Sequence, residues 1–366
     1  MANLTTTLCG IELKSPYVLA SGPLSYDGRA MVAASEAGAG AVVTKTISLV
    51  KADNPMPHMV RTAQNTLINC EHWSDLEASA WIDREIAIAR DGGVVVIASV
   101  GLSPKDVAEL AGRIGAAGPH LLEVVSYTEE AMVPMVREAR KAVKIPILAK
   151  LSPNWPGVVK TAVACLTAGA DGLTAADSFG PVLRIDVATA KPLLGGSFGY
   201  GWLSGAAIKP ITLRIIAEVA RAADAPIVGT GGVARGEDAL EMLMVGATAV
   251  GVCSAPILGG LKTFARLNSE LNQVLDTFGY ASPAAARGVA LPNLVDQEEK
   301  GRLVFEHSPE LCKQCRMCVN VCPYGARTLA DKQMGLDPEQ CRYCSLCASV
   351  CPTGALGVTG GLRNRR

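Results

Sequence analysis

Over roughly the first 260 residues, short apolar runs alternate with stretches whose apolar positions recur every three to four residues. Short runs suit buried strands and the longer stretches suit amphipathic helices, so the alternation predicts βαβ units around a parallel sheet. Eight runs qualify as strands: residues 17–21, 41–45, 94–100, 121–125, 145–150, 172–176, 226–230 and 248–253, with helical material between each pair. Eight strands in one series predict an α/β fold closed as a (β/α)8 TIM barrel. The phrases GAGAVVTK at 38–45, GADGLTAA at 169–176 and GATAVGVC at 246–253 each join a helix-ending glycine to a strand, which is that fold's repeating unit. Residues 261–278 read as the last barrel helix.

Two connections exceed the usual two to six residues, from 46 to about 76 and from 178 to about 206. Long excursions after barrel strands commonly form active-site lids. The first carries Asn69, Cys70, Glu71, His72 and Trp73, and the second Gly195, Gly196, Phe198, Gly199, Tyr200 and Trp202. A polar linker around 296–302 then leads into a cysteine-rich tail, so residues 1–300 are expected to form the barrel domain and 301–366 a small second domain. The last seven residues, Gly-Gly-Leu-Arg-Asn-Arg-Arg, read as a frayed terminus.

Composition narrows the chemistry. The 366 residues are 49% hydrophobic and 4% aromatic with 37 glycines, as suits a parallel α/β protein with Val/Ile/Ala-rich strands. Lys+Arg and Asp+Glu balance at 34 each, and no basic patch is interleaved with aromatics, so no nucleic-acid or anionic-membrane partner is expected. The start lacks a basic stretch followed by an apolar run, and nowhere do 18 apolar residues run uninterrupted, so the chain is expected to be cytoplasmic. In that compartment the twelve cysteines read as reduced thiols.

Eight of those cysteines form one pattern twice: Cys312-x2-Cys315-x2-Cys318-x3-Cys322-Pro323, then Cys341-x2-Cys344-x2-Cys347-x3-Cys351-Pro352. Three thiolates spaced in this way wrap three corners of an iron–sulfur cube, and the remote fourth cysteine of each run ligates the other cluster. One [4Fe–4S] cluster is therefore expected on Cys312, Cys315, Cys318 and Cys351, and the other on Cys341, Cys344, Cys347 and Cys322, in a bacterial-ferredoxin-like α+β domain. Paired zinc knuckles also use Cys-x2-Cys, but zinc needs no third and fourth cysteine at this spacing followed by proline. Such clusters move single electrons, so the barrel should hold something that accepts them.

Barrel ligands sit at the C-terminal ends of the strands, and a phosphate is commonly caught after strands 7 and 8. Gly229-Thr-Gly231-Gly232 and Gly251-Val-Cys253-Ser254 supply bare backbone N–H groups there. A loose G-x-G-x-x-A fingerprint through Gly229, Gly231 and Ala234 lacks a second Rossmann half around it. Lys45 and Lys150 end strands; each is either a solvated lysine or a cation for the electron-rich N1/O2 edge of a reduced flavin. Turns at Ser21-Gly22 and Ser204-Gly205 would let backbone approach a planar ring.

These residues resemble a family. From about Leu8 to Leu271 the chain is similar to the FMN-binding barrel of dihydroorotate dehydrogenases, and more closely to that of dihydropyrimidine dehydrogenase and its bacterial Fe–S/FMN subunit. The matching stretches are LASGP at 19–23, GAVVTKTI at 40–47, LIN at 67–69, AKLSPN at 149–154, GADG at 169–172, LSGAAIKPITLR at 203–214, PIVGTGGV at 226–233 and VCSA at 252–255. That subunit also ends in a double-cluster ferredoxin domain. The resemblance implies FMN contacts by Ser21, Lys45, Thr46, Lys150, Gly205, Gly231, Gly232, Cys253 and Ser254, with Asn69 facing flavin and substrate. Gly22 and Ser178 are counted with the cofactor site.

Two departures bear on the chemistry. After strand 4 the family carries an Asn-Leu-Ser-Cys-Pro loop and a glycine-rich lid, and the cysteine is its general acid or base; here LLEVVSYTEEAMVPMVREAR runs straight into a helix. After strand 6, Asp177-Ser178 replaces the family's Asn-Thr. Both point away from a pyrimidine. Asp177 either caps the following segment or binds or protonates substrate. The open post of proton donor falls first to Tyr127, then to Asp177 and His72; Cys70 reads as an inert buried hydrophobe, and Glu129 and Glu130 as the opening of the next helix. The expected activity is an FMN- and [4Fe–4S]-dependent oxidoreductase acting on CH–CH groups, interconverting a small cyclic or conjugated compound and its dihydro form. Its electron partner is expected to be a ferredoxin or an NAD(P)H-oxidising flavoprotein subunit, and its assembly a homodimer or hetero-oligomer. The alternatives are a dihydropyrimidine dehydrogenase subunit and a non-catalytic electron relay.

Overall fold

Strand and helix formation follow the apolar pattern closely in the computed structural model, which describes residues 2–298, 302–331 and 333–359. All eight apolar runs are strands of one closed parallel barrel: β1 (Tyr17–Leu19), β2 (Ala41–Val43), β3 (Val96–Leu102), β4 (Leu121–Ser126), β5 (Ile147–Leu151), β6 (Gly172–Ala175), β7 (Ile227–Thr230) and β8 (Ala249–Val252). Neighbours in sequence are neighbours in space, and β8 closes on β1 with Val250 opposite Tyr17 and Val252 opposite Leu19. Helices wrap the outside. The one over Pro104–Ala116 shows why they form: Ser103 accepts a hydrogen bond from the Asp106 N–H, proline stands in the first turn, and Val107, Leu110, Ala111 and Ile114 make one buried stripe.

Alternation along the strands divides the core into two layers. Tyr17, Leu19 and Val42 pack outward against the helices, while Val18, Ala41, Val43, Ile97, Leu148 and Val228 fill the barrel. An antiparallel hairpin, Thr6–Leu8 with Ile11–Leu13, adds Leu8 and Leu13 to that inner layer. The two long excursions meet. Met59–Ala63 and Thr66–Asn69 from the first pair with Gly201–Gly205 and Phe179–Val182 from the second in a four-stranded antiparallel sheet, with Trp202 opposite Asn69 and Leu203 opposite Ile68. By contrast β4 reaches the helix Glu129–Ala142 through Tyr127 and Thr128 alone.

The chain forms two compact units, Met1–Leu291 and Pro292–Arg366, a division ahead of residue 300. The second unit pairs Val304–His307 with Leu356–Thr359 and Arg327–Ala330 with Gln333–Leu336, and sets a short helix, Met317–Asn320 or Leu346–Ser349, in each half. Residues 299–301 of the expected linker and the expected frayed segment 360–366 lie outside the described residues. Among the described residues no helix is long and apolar enough to cross a membrane.

Candidate active site and cluster pockets

The strand ends carry charge into an otherwise apolar interior. Lys45, just past β2, is buried with its Nζ 3.0 Å from Oε1 of Glu71 in the first excursion. Lys150 on β5 lies with its Nζ 3.2 Å from Oδ2 of Asp177, which follows β6. Between them in the barrel wall is Glu123 on β4, 2% exposed, whose Oε2 accepts a 2.7 Å bond from the Thr174 hydroxyl while Oε1 has no partner. Burial alone would push the Lys150 ammonium down, but Asp177 and Glu123 together outweigh it and hold the group above the usual lysine range. Burial likewise pushes the Glu123 carboxyl up, and the Lys150 charge opposes it only in part. A small cavity beside them, lined by Val18, Val43, Glu123, Leu148, Lys150 and Thr230, has room for about a single water molecule.

Backbone approaches the barrel mouth where side chains are missing. Gly205 has φ +86°, and a Cβ there would stand 2.1 Å from the Asn65 carbonyl oxygen. Gly232, beside Gly231 after β7, has φ +99°, and its Cβ would meet the Lys209 backbone at 2.7 Å. Both positions therefore require glycine. The Ser254 and Ser204 hydroxyls lie 2.9 Å apart, so the turn after β8 touches the second excursion. A Cβ on Gly22 would come 3.0 Å from Cys253 Sγ, which brings the turns after β1 and β8 together. Burial pushes the Cys253 thiol up to about 11 in spite of Lys150, so it is a neutral wall residue. The Thr46 hydroxyl meets that of Ser99 at 3.0 Å, and the Asn69 amide donates to the Trp202 carbonyl at 3.5 Å across the lid sheet. These positions fit FMN: an ammonium has three donors and each lysine's ion pair uses one, leaving N–H groups for an electron-rich ring edge.

Of the three proton-donor candidates, Tyr127 and Asp177 come within electrostatic reach of each other. Tyr127 closes β4 with 59% of its surface exposed, within electrostatic reach of Asp177 and Lys150; partial desolvation first, and the Asp177 charge second, push its phenol above the usual tyrosine range. Asp177 acts partly as the cap considered above: Oδ1 accepts the Ser178 N–H at 2.8 Å while Oδ2 holds Lys150. His72 is exposed, with Nδ1 3.1 Å from the Asp53 carbonyl and its ring stacked on Trp73 at 5.2 Å. Cys70 is buried with Ile68 and Leu194, its thiol pushed up by burial. Glu129 opens its helix and reaches across to accept from Thr161 Oγ1 at 2.6 Å. Sequence reasoning missed Glu123 and assigned no role to Glu71. The signal for Glu123 was available, as a lone acid inside the apolar run LLEVVS.

In the second unit the cysteines ring two pockets. One is lined by Cys312, Cys315, Cys318 and Cys351, the other by Cys322, Cys341, Cys344 and Cys347, so the last cysteine of each run crosses to the other half. The halves share their backbone: Gln314 and Arg316 in one, and Tyr343 and Ser345 in the other, have positive φ, bending each Cys-x2-Cys loop around its pocket. Four thiols around each pocket, three from one run and one from the other, suit a four-iron cube.

Comparison with known proteins agrees with both halves of this description. The model of the dihydroorotate dehydrogenase family matches residues 118–275, and that of the 4Fe-4S dicluster domain matches residues 311–355. Among curated proteins, the catalytic subunit of dihydroorotate dehydrogenase B (NAD(+)) from Methanothermobacter thermautotrophicus is 34% identical over 303 residues, covering 78% of this chain and 98% of the relative. The proteins of the same name from Pelobacter propionicus and Thermoplasma acidophilum are 35% and 32% identical, covering 88% and 100% of the relatives and 70% and 80% of this chain.

Proposed function

The chain belongs to the dihydroorotate dehydrogenase family and ends in a 4Fe-4S dicluster domain, and from that premise we propose that it interconverts a small unsaturated ring compound and its dihydro form. Its cofactors are FMN and two [4Fe–4S] clusters. It is an oxidoreductase acting on CH–CH groups. The observation that carries the proposal is the pair of buried lysines, Lys45 and Lys150, each held by a carboxylate at the strand ends.

Bound FMN supplies hydride exchange with a substrate carbon. Lys45 and Lys150 hold the electron-rich edge of the ring, and Glu71 and Asp177 fix where those ammonium groups point. Gly231, Gly232 and Ser254 would take the phosphate, Ser21, Gly22, Thr46, Ser178, Gly205 and Cys253 would line the ring, and Asn69 would face flavin and substrate. Tyr127 donates the proton to the substrate face opposite the flavin. A raised phenol is protonated at neutral pH and can act as an acid, whereas both oxygens of Asp177 are engaged and His72 is tied to Asp53. Asp177 presents only acceptors where an amide would offer both donor and acceptor, so it can meet a ring N–H or O–H but not a ring carbonyl, which disfavours the paired N–H and C=O edge of uracil or thymine.

Cys312, Cys315, Cys318 and Cys351 hold one cluster and Cys322, Cys341, Cys344 and Cys347 the other. Electrons pass through them to or from a ferredoxin or an NAD(P)H-oxidising flavoprotein subunit in a hetero-oligomer, a reading supported by relatives whose names mark them as catalytic subunits. A cytoplasmic setting suits twelve free cysteines. A second reading, an electron relay without substrate chemistry, draws on the two-residue link from β4 to its helix, which leaves no room for a catalytic-cysteine loop. Anaerobic turnover assays with unsaturated ring compounds, uracil and thymine included, separate the readings. Turnover of a ring compound that drops in Tyr127→Phe supports the enzyme; turnover of none, with FMN and iron fully loaded, supports the relay.

A further inference from the structure

The two halves of the second unit are built alike and differ at one buried position. CPYGAR at 322–327 corresponds to CPTGAL at 351–356, which sets Arg327 where the other half has Leu356. Each residue opens a strand, Arg327–Ala330 or Leu356–Thr359, and they are 4% and 3% exposed. A leucine there is ordinary core. An arginine is not, because its guanidinium is always charged, carries five N–H donors and is costly to bury unpaired.

Arg327 is nonetheless buried with Nε and Nη2 lacking any acceptor among the described residues. The Phe305 ring covers one face of the guanidinium, 4.1 Å from Cζ to the ring centroid. Phe305 stacks in turn on Tyr343, whose backbone N–H points at Cys341 Sγ across 3.4 Å. Arg327 and Phe305 line the same pocket as Cys322, Cys341, Cys344 and Cys347. Buried donors are rarely left unmatched, so an acceptor belongs in that pocket.

We infer that Arg327 donates its unmatched N–H groups to the sulfur atoms of the cluster on Cys322, Cys341, Cys344 and Cys347, and so raises that cluster's reduction potential above its neighbour's. The inference rests on the cluster assignment proposed above. Reduction adds one electron to an already anionic cluster, and a fixed positive charge in a low-dielectric pocket stabilises the added charge. Among the described residues the neighbouring pocket has no such cation within: Lys313 and Arg316 on its rim are exposed, as is Arg342 on the rim of the first, and water screens all three. Its own unmatched buried polar atom is Nε2 of His307, a single ring nitrogen. An electron entering the unit therefore settles first on the cluster beside Arg327, which gives the pair a direction.

The test is an anaerobic redox titration of the full chain with both clusters loaded, followed by electron paramagnetic resonance, in wild type and Arg327→Leu. Two separate midpoints are expected in wild type. In Arg327→Leu the higher one should fall while the lower stays, by about tenfold in the reduced-to-oxidised ratio at fixed potential, or about 59 mV for one electron. Unchanged midpoints with full iron content, or an equal fall of both, would overturn the inference. If Arg327→Leu loses iron, Arg327→Gln decides in its place: a fall confined to the higher midpoint supports the role, and an unmoved one refutes it. A wild-type chain that never takes up iron for two clusters would instead sink the cluster assignment.

Discussion

Lys150 shows what the barrel does with a buried charge. Its ammonium is placed between two acids, Asp177 and Glu123, and is held above its ordinary range by both, so it stays cationic throughout any working pH. Glu123 bears the cost: its carboxyl is raised by burial, so the folded chain binds a proton more readily than the unfolded one. By linkage, wild-type stability relative to Glu123→Gln should fall as pH rises above the ordinary glutamate value of about 4.3, and stop falling once the buried carboxyl has ionised. Thermal melts of the two proteins across that range read the sign, and a wild type that gained on the variant with rising pH would refute it. Tyr127 makes a second expectation. As the proton donor it should cost about 10²- to 10⁴-fold in kcat when changed to phenylalanine, with FMN content unchanged. Because its phenol is raised, turnover should hold on the alkaline side up to at least about pH 10 and fall only beyond. Steady-state rates measured against pH check both. Lys45, Lys150, Asp177 and Tyr127 were legible in the sequence because a polar residue at a strand end faces the barrel mouth. Glu123 left a signal, a lone acid inside the apolar run LLEVVS, whereas Arg327 left none, because strand periodicity does not tell a buried charge from a solvated one.

Among the elements, the eight strands were readable because each is a short apolar run that follows a turn, and helix stripes such as Val107, Leu110, Ala111 and Ile114 confirm the period between them. The lid sheet was not. Its strands are four or five residues long and paired between segments far apart in sequence, so Phe179–Val182 and Thr66–Asn69 carry no local signature of their partners. The excursion lengths alone suggested a lid. Gly205 ends the strand that joins both excursions, and with φ +86° and the Asn65 carbonyl oxygen 2.1 Å from its missing Cβ it tolerates no side chain. Gly205→Ala should cost about 1–3 kcal/mol from the backbone alone. It should also purify with less FMN, because the turn at the ring would move; a variant with wild-type melting temperature and full flavin content would show that the turn plays no part in the site.

Across the whole molecule, two units that are each recognisable alone carry two kinds of redox chemistry. In the proposed reading the barrel's lysines and Tyr127 serve a two-electron reaction at carbon, and the tail's cysteines, in crossed sets, serve single electrons. The tail was the most legible part of the chain, since cysteine spacing encodes a cluster directly. Substrate identity was the least, because it depends on the shape left by a missing loop after β4 and on one carboxylate at Asp177. The direct measurement of the central claim is a stopped-flow experiment without oxygen, in which the flavin is reduced through the clusters with dithionite and its absorbance is followed on mixing with unsaturated ring compounds. Rapid reoxidation by one of them, slowed by orders of magnitude in Tyr127→Phe, is the expected result. Flavin that stays reduced against every compound while a protein electron acceptor oxidises it promptly would contradict the enzyme and leave the barrel as a relay.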